Sequence, residues 1–148
     1  MRIGIIHIYE FPNGMAPTVR ISTYCKGLTK RGHDCDIISI VPKSGCEPLS
    51  AQMEYGTYHY FSYQTKSLYP IISSIDYRIK KWKCRFDAVR YIKQQHKIYP
   101  YDCLIVSYDG LLELYATIPF LNNLGAKIVI IADEYPYPIR FKLKDSLS

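Results

Sequence analysis

The chain has 148 residues, 48% of them hydrophobic and 22% charged, with a formal net charge of +6. That size and balance fit one globular domain with a single core and exclude a disordered chain. No apolar run approaches the roughly 20 residues of a membrane-spanning helix. The opening "MRIGIIHIY" is too short for a secretory signal and lacks its small-residue cleavage site, so a cytosolic location is expected.

The charge permits contact with nucleic acid, anionic lipid or phosphate-bearing substrates and requires none of them. Cys25, Cys35, Cys46, Cys84 and Cys103 form no C-x-x-C pair and no zinc spacing. Reduced, mostly buried thiols are the expectation. Fifteen tyrosines, several of them in "YGTYHYFSYQTKSLYP" (55–70), suit sugar or lipid contacts and suit a buried β-rich segment equally well.

In chain order, "RIGIIHI" (2–8) is β-branched and nearly continuous, the pattern of a strand covered on both faces. The loop "EFPNGMAPTVR" (10–20) follows, with Pro17 placed for a first helical turn. Ile21, Tyr24, Cys25 and Leu28 then recur at helical spacing. "KRG" ends that helix, with Lys30 and Arg31 complementing its dipole and Gly32 free to take a left-handed cap. "CDIISIV" (35–41) is a second buried strand stopped by Pro42. The resulting β-α-β unit predicts parallel strands with a right-handed crossover.

Residues 43–52 read as loop and "MEYGTYHYF" (53–61) as a third strand. Ile72, Ile75, Ile79, Trp82, Phe86, Val89 and Ile92 form one apolar helical stripe, expected to pack in the core. On the same helix Arg78, Lys81 and Arg85 share a basic face, expected to be solvated, with Lys80 and Lys83 beside it. "YDCLIVS" (101–107) is a strand. "GLLELYATIPFLNNLG" is a helix with Asp109 as N-cap and Gly125 as stop. "AKIVIIAD" (126–133) is one more buried strand; the final ten residues give no firm signal. The order predicts a Rossmann-like three-layer α/β/α sandwich with a mostly parallel sheet in one domain, 1–148. Ligands of such sheets sit at the carboxyl ends of the strands, here the loops near Tyr9, Val41, Ser107 and Asp133.

Motifs narrow the chemistry. The loop after the first strand holds Gly14 alone, not the three close glycines that let backbone approach a pyrophosphate. There is no G-K-[ST] phosphate loop, no H-E-x-x-H helix and no G-x-S-x-G elbow. "DCD" (34–36) could place two carboxylates on one side of a strand for a metal. It opens that strand at the end opposite the ligand crevice, so Asp34 and Asp36 are expected to be solvated polar residues. His7 is expected to be a satisfied core histidine and His33 a local pair at the helix end; His59 and His96 have no partner legible in the sequence. "SYDG" (107–110) and "DEYPYPIR" (133–140) set hydroxyls and carboxylates at strand ends, beside aromatic rings. That is a common way to hold a sugar.

Taken together, "MRIGIIHIYEFPNGMAPTVRISTYCKGLTKRGHDCDIISIVP", "YDCLIVSYDGLLELYA" and "AKIVIIADEYP" resemble the N-terminal half of family-four glycosyltransferases of the GT-B fold. Leu28, Arg31, Gly32 and His33 match the family's L-x-x-R-G-H, Pro12 its loop proline, and Asn13-Gly14 the start of its glycine loop. Met15 stands where the family has a second glycine, and Ser107 and Asp133 stand where it has histidines.

The resemblance implies an enzyme that moves a sugar from a nucleotide-sugar donor, without a metal or other cofactor. The acceptor would be a glycan, lipid-linked or small-molecule one, as in cell-wall or polysaccharide synthesis. This domain would form the acceptor side, with Asn13, Gly14, Met15, Ser107, Tyr108, Asp109, Asp133 and Glu134 facing substrate; no catalytic residue is assigned. No glutamate has another eight positions on, so the donor half is expected in a second, C-terminal domain outside these residues. Expected partners are thus the sugar acceptor, the nucleotide sugar and that domain, and no nucleic acid. The basic helix leaves open a peripheral contact with the inner face of a membrane. The alternative is a free-standing Rossmann-like binding or interaction module without catalysis.

Overall fold

The computed structural model describes residues 1–9, 11–12, 16–41, 50–62, 70–108 and 111–132. Its elements are β1 (Arg2–His7), α1 (Ala16–Thr29), β2 (Asp34–Val41), β3 (Ser50–Met53), β4 (Gly56–Ser62), α2 (Pro70–Ile98), β5 (Cys103–Tyr108), α3 (Leu111–Asn122) and β6 (Lys127–Ala132). They build a six-stranded sheet of order β3-β4-β2-β1-β5-β6. All pairings are parallel except the antiparallel β3-β4 edge. The architecture is α/β and Rossmann-like, as the sequence predicts.

Alternation along the strands sends successive side chains to opposite faces, and each face has its own core. Ile3, Ile5, Cys35, Ile37 and Tyr58 pack with Ile21 and Cys25 of α1 on one side. On the other, Ile6, Ile38, Ile40, Leu104 and Val106 pack with Cys84, Ala88, Val89 and Ile92 of α2 and Leu121 of α3. α1 buries Thr18, Ile21 and Cys25 while Tyr24 stays exposed. Its end is a Schellman cap: the His33 amide donates to the Leu28 carbonyl (3.2 Å) and the Gly32 amide to Thr29 (2.9 Å). Gly32 takes the left-handed φ of 78° that this cap requires.

Besides β6, an edge strand whose Val129 and Ile130 are 45% and 46% exposed where burial was expected, two elements depart from the sequence reading. The expected single strand over 53–61 is the second half of a hairpin, because the chain turns at Glu54-Tyr55. Gly56 re-enters the sheet at a φ of 135°. A Cβ on Gly56 would run into the Cys35 carbonyl, so glycine is dictated there both by conformation and by the close approach of β2.

The second departure is the orientation of α2. Val89 and Ile92 are buried as expected, but Ile75, Ile79, Trp82 and Phe86 are 57%, 62%, 40% and 48% exposed. Arg85, expected in the solvated face, is buried. A 29-residue helix is about 43 Å long, whereas strands of six to eight residues span about 20–27 Å. The sheet therefore has no surface to offer the turns carrying Ile75 and Ile79, and on the turns beside it Cys84, Arg85 and Ala88 face inward while Trp82 and Phe86 face outward. Among the described residues no helix is long and apolar enough to cross a membrane.

The N-terminal edge of the sheet is locked by a polar cluster. The Arg2 guanidinium donates to Asp36 Oδ2 (Nε 3.0 Å) and to the carbonyls of Gln95 and Tyr99. It also lies over the Tyr101 ring, 4.2 Å from its centroid. The hydroxyls of Tyr101 (2.9 Å) and Thr57 donate to the same carboxylate. Asp36 is thus the hub of a structural ion pair, not a solvated strand-start residue. Burial raises its pKa, but the hydrogen bonds from Thr57, Tyr101 and Arg2 and the Arg2 charge outweigh burial, so the carboxyl sits below its ordinary value. The neighbouring histidines also find partners. His96 Nδ1 accepts the Tyr101 amide (3.0 Å), and the His59 ring packs at a tilt against Tyr91 (4.6 Å between centroids) with its pKa lowered by burial.

Candidate functional site

β1 and β5 are neighbours, yet the chain leaves them in opposite directions: β1 through α1 to β2, β5 through α3 to β6. Such a switch point opens a crevice at the carboxyl ends of the two strands. The ends of β2, β1 and β5 each place a small polar or imidazole side chain on the α1 side of the sheet: Ser39, His7 and Ser107. His7 is in register with Ser39, and Ser107 directly follows Val106, which is in register with Ile6. All three are buried. A row of polar side chains at the end of an otherwise isoleucine-rich sheet needs polar neighbours, since desolvating them alone is costly.

α1 and the start of its preceding loop supply them. Thr18, buried in the first turn of α1, has its hydroxyl 3.3 Å from His7 Nε2. Ser39 Oγ donates to the Tyr9 carbonyl at 2.6 Å. Phe11 is fully buried, edge-on to His7 and tilted against Tyr58. The Tyr60 hydroxyl accepts the Phe11 amide (2.6 Å) and donates to the Phe11 carbonyl. The exit from β1 is thus pinned at Tyr9 and at both backbone groups of Phe11. The first turn of α1 carries no acidic residue, so its positive pole meets the crevice uncompensated by a carboxylate of its own. Ser39, His7 and Thr18 are buried and hydrogen-bond within the domain, so they fix the β1 exit, and the positive pole of α1 is what this arrangement turns toward the crevice; among the described residues no His, Cys, Asp and Glu side chains cluster as a metal site would require.

Of the residues expected to face substrate, Ser107 lies in this row. Tyr108 ends β5 in register with Ala132 of β6, so the chain leaves those two strands at adjacent points. Asn13, Gly14, Met15, Asp109, Asp133 and Glu134 lie outside the described residues. His7 is buried, as expected of a core histidine, but its place at the switch point makes it part of the crevice floor. Thr18, Ser39 and Tyr60 were missed. Ser39 carried a signal: it is the one polar residue in the "IISIV" run of a buried strand, near its carboxyl end.

No family model matches the chain, and no curated protein matches it. Among solved structures it is similar to the C-terminal domain of PF1911 hydrogenase from Pyrococcus furiosus. One crystal structure of that domain superposes with a TM-score of 0.62 at 9% identity, over 88% of this chain and 90% of that one. A second gives a TM-score of 0.58 at 10% identity over the same shares. A likeness at this identity is a likeness of fold.

Proposed function

We propose that the chain is the acceptor-side, N-terminal domain of a GT-B glycosyltransferase. The observation that carries the reading is convergence. The three segments resembling family-four enzymes are built on β1, β5 and β6, parallel strands whose carboxyl ends share one edge of the sheet. The first two of those strands flank its switch point. In this reading Ser39, His7 and Thr18 hold the β1 exit in place, and the positive pole of α1 faces the donor phosphates when the cleft closes. Asn13, Gly14, Met15, Ser107, Tyr108, Asp109, Asp133 and Glu134 contact the acceptor. The nucleotide sugar, a co-substrate rather than a resident cofactor, is held mainly by a second domain. The enzyme is cytoplasmic and uses no metal.

The test is activity against domain content. A protein that includes the downstream frame is expected to carry a second Rossmann domain with two glutamates eight positions apart. It should release nucleoside diphosphate from a nucleotide sugar in the presence of acceptor. The 148-residue chain alone should not. Turnover by the isolated chain would refute this division of labour, and a native stop at Ser148 would favour a free-standing binding module.

A further inference from the structure

The outward face of α2 is chemically two-sided. Ile75, Ile79, Trp82 and Phe86 form an exposed apolar ridge, extended by the exposed Phe120 of α3, which meets Phe86 edge-on at 5.8 Å. At about 100° per residue, Arg78 and Lys83 fall about 70° to either side of the ridge, and both are exposed. Arg90, Lys93 and Lys97 continue the same face toward the helix end. The acidic residues fall on the Lys83 side only: Asp76 and Asp87 lie about 100° from the ridge, each paired with a cation, Lys80 (2.6 Å) and Arg90 (3.7 Å). α2 holds eight Lys and Arg against two Asp, a surplus equal to the net charge of the whole chain.

From these features we infer that α2 lies flat on an anionic lipid surface. A protein partner would satisfy the apolar ridge, but it would not by itself account for cations on both flanks and for so large an excess of them over acids on one helix. A bilayer interface accounts for both, because isoleucine and aromatic side chains enter the acyl boundary while flanking cations meet the headgroups. The sheet-facing residues Cys84, Ala88, Val89 and Ile92 remain in the core, so docking requires no rearrangement of the domain. Orientation follows as well. The carbonyls of Gln95 and Tyr99 sit on Arg2 at the N-terminal edge of the sheet. Ile75, about 30 Å up the helix from Gln95, therefore lies toward the edge where the crevice opens. Presentation of a lipid-borne acceptor to the crevice would rest on the transferase reading; the membrane contact itself does not.

Trp82 is the chain's one tryptophan and reports directly on the ridge. Its emission should shift to the blue on titration with vesicles of mixed phosphatidylglycerol and phosphatidylcholine, and the shift should reverse as salt is raised. Arg78→Gln with Lys83→Gln should weaken binding about thirtyfold. Ile75→Ser and Ile79→Ser should weaken it on the order of tenfold each. All four positions are exposed, and far-ultraviolet circular dichroism confirms folding. Absence of a shift with the unmodified chain overturns the inference. So does equal binding to phosphatidylcholine alone, or a shift that grows with protein concentration before lipid is added, which would assign the ridge to a second copy.

Discussion

Replacing Asp36 with asparagine tests the lock at the base of the sheet. The substitution preserves shape and leaves an oxygen that still accepts from Tyr101 or Thr57, but it strands the Arg2 charge in a site where that side chain is only 9% exposed. Removing one partner of a buried ion pair costs about 3–5 kcal/mol. Arg2 keeps the Gln95 and Tyr99 carbonyls and the Tyr101 ring, which brings the expected loss to about 2–3 kcal/mol. For a domain of this size that is a fall in Tm of about 5–10 °C, measured by circular dichroism at pH 7. The sign with pH is also fixed. The folded-state pKa of Asp36 lies below the ordinary 3.8, so its contribution is complete above that value and is lost as pH falls through the folded-state pKa. The gap between the native protein and D36N should be full at pH 7 and close as acid is added below about pH 4. A Tm change under about 1 °C, or a gap that persists undiminished into acid, would refute the lock.

Three further outcomes are expected. Gly4→Ala would place a Cβ 2.7 Å from Leu104 Cδ2 and 3.2 Å from the Tyr101 ring, both buried. It should lower stability by about 1–3 kcal/mol in urea unfolding, and a neutral result would show that this core face can relax. Tyr60→Phe removes the hydroxyl that pins both backbone groups of Phe11. It should speed hydrogen exchange at the Phe11 amide with a global loss of about 1–2 kcal/mol; unchanged exchange at Phe11 would contradict the clamp. In the two-domain enzyme, Met15→Gly should leave activity unchanged or raise it if the loop only brushes donor phosphate. A large loss in transfer rate would instead assign the methionine to the acceptor.

Much of the frame was legible because its signals are local. Continuous β-branched runs marked β1, β2, β5 and β6, and "KRGH" marked the cap of α1 down to the glycine that must take positive φ. The edge of the sheet where ligands bind followed from element order alone. The floor of the crevice did not. His7, Ser39 and Ser107 are separated by 32 and 68 positions in the chain, and only β1 lying between β2 and β5 makes them a row. Asp36 was legible as a strand-start carboxylate but not as a hub, because its partners arrive from Arg2, Thr57 and Tyr101 on three other stretches of chain.

The clearest division lies in α2. The sequence alone determined that residues 75–92 are helical and that Ile75, Ile79, Trp82 and Phe86 share a side, since periodicity reports which side chains point the same way. It did not determine what that side meets. Tertiary structure decided this through the helix's rotation and length: Cys84, Ala88, Val89 and Ile92 face the core, Trp82 and Phe86 on the same turns face outward, and the turns carrying Ile75 and Ile79 run past the sheet. A helical stripe is a property of the local chain, whereas burial depends on which side a neighbouring surface meets and how far that surface extends.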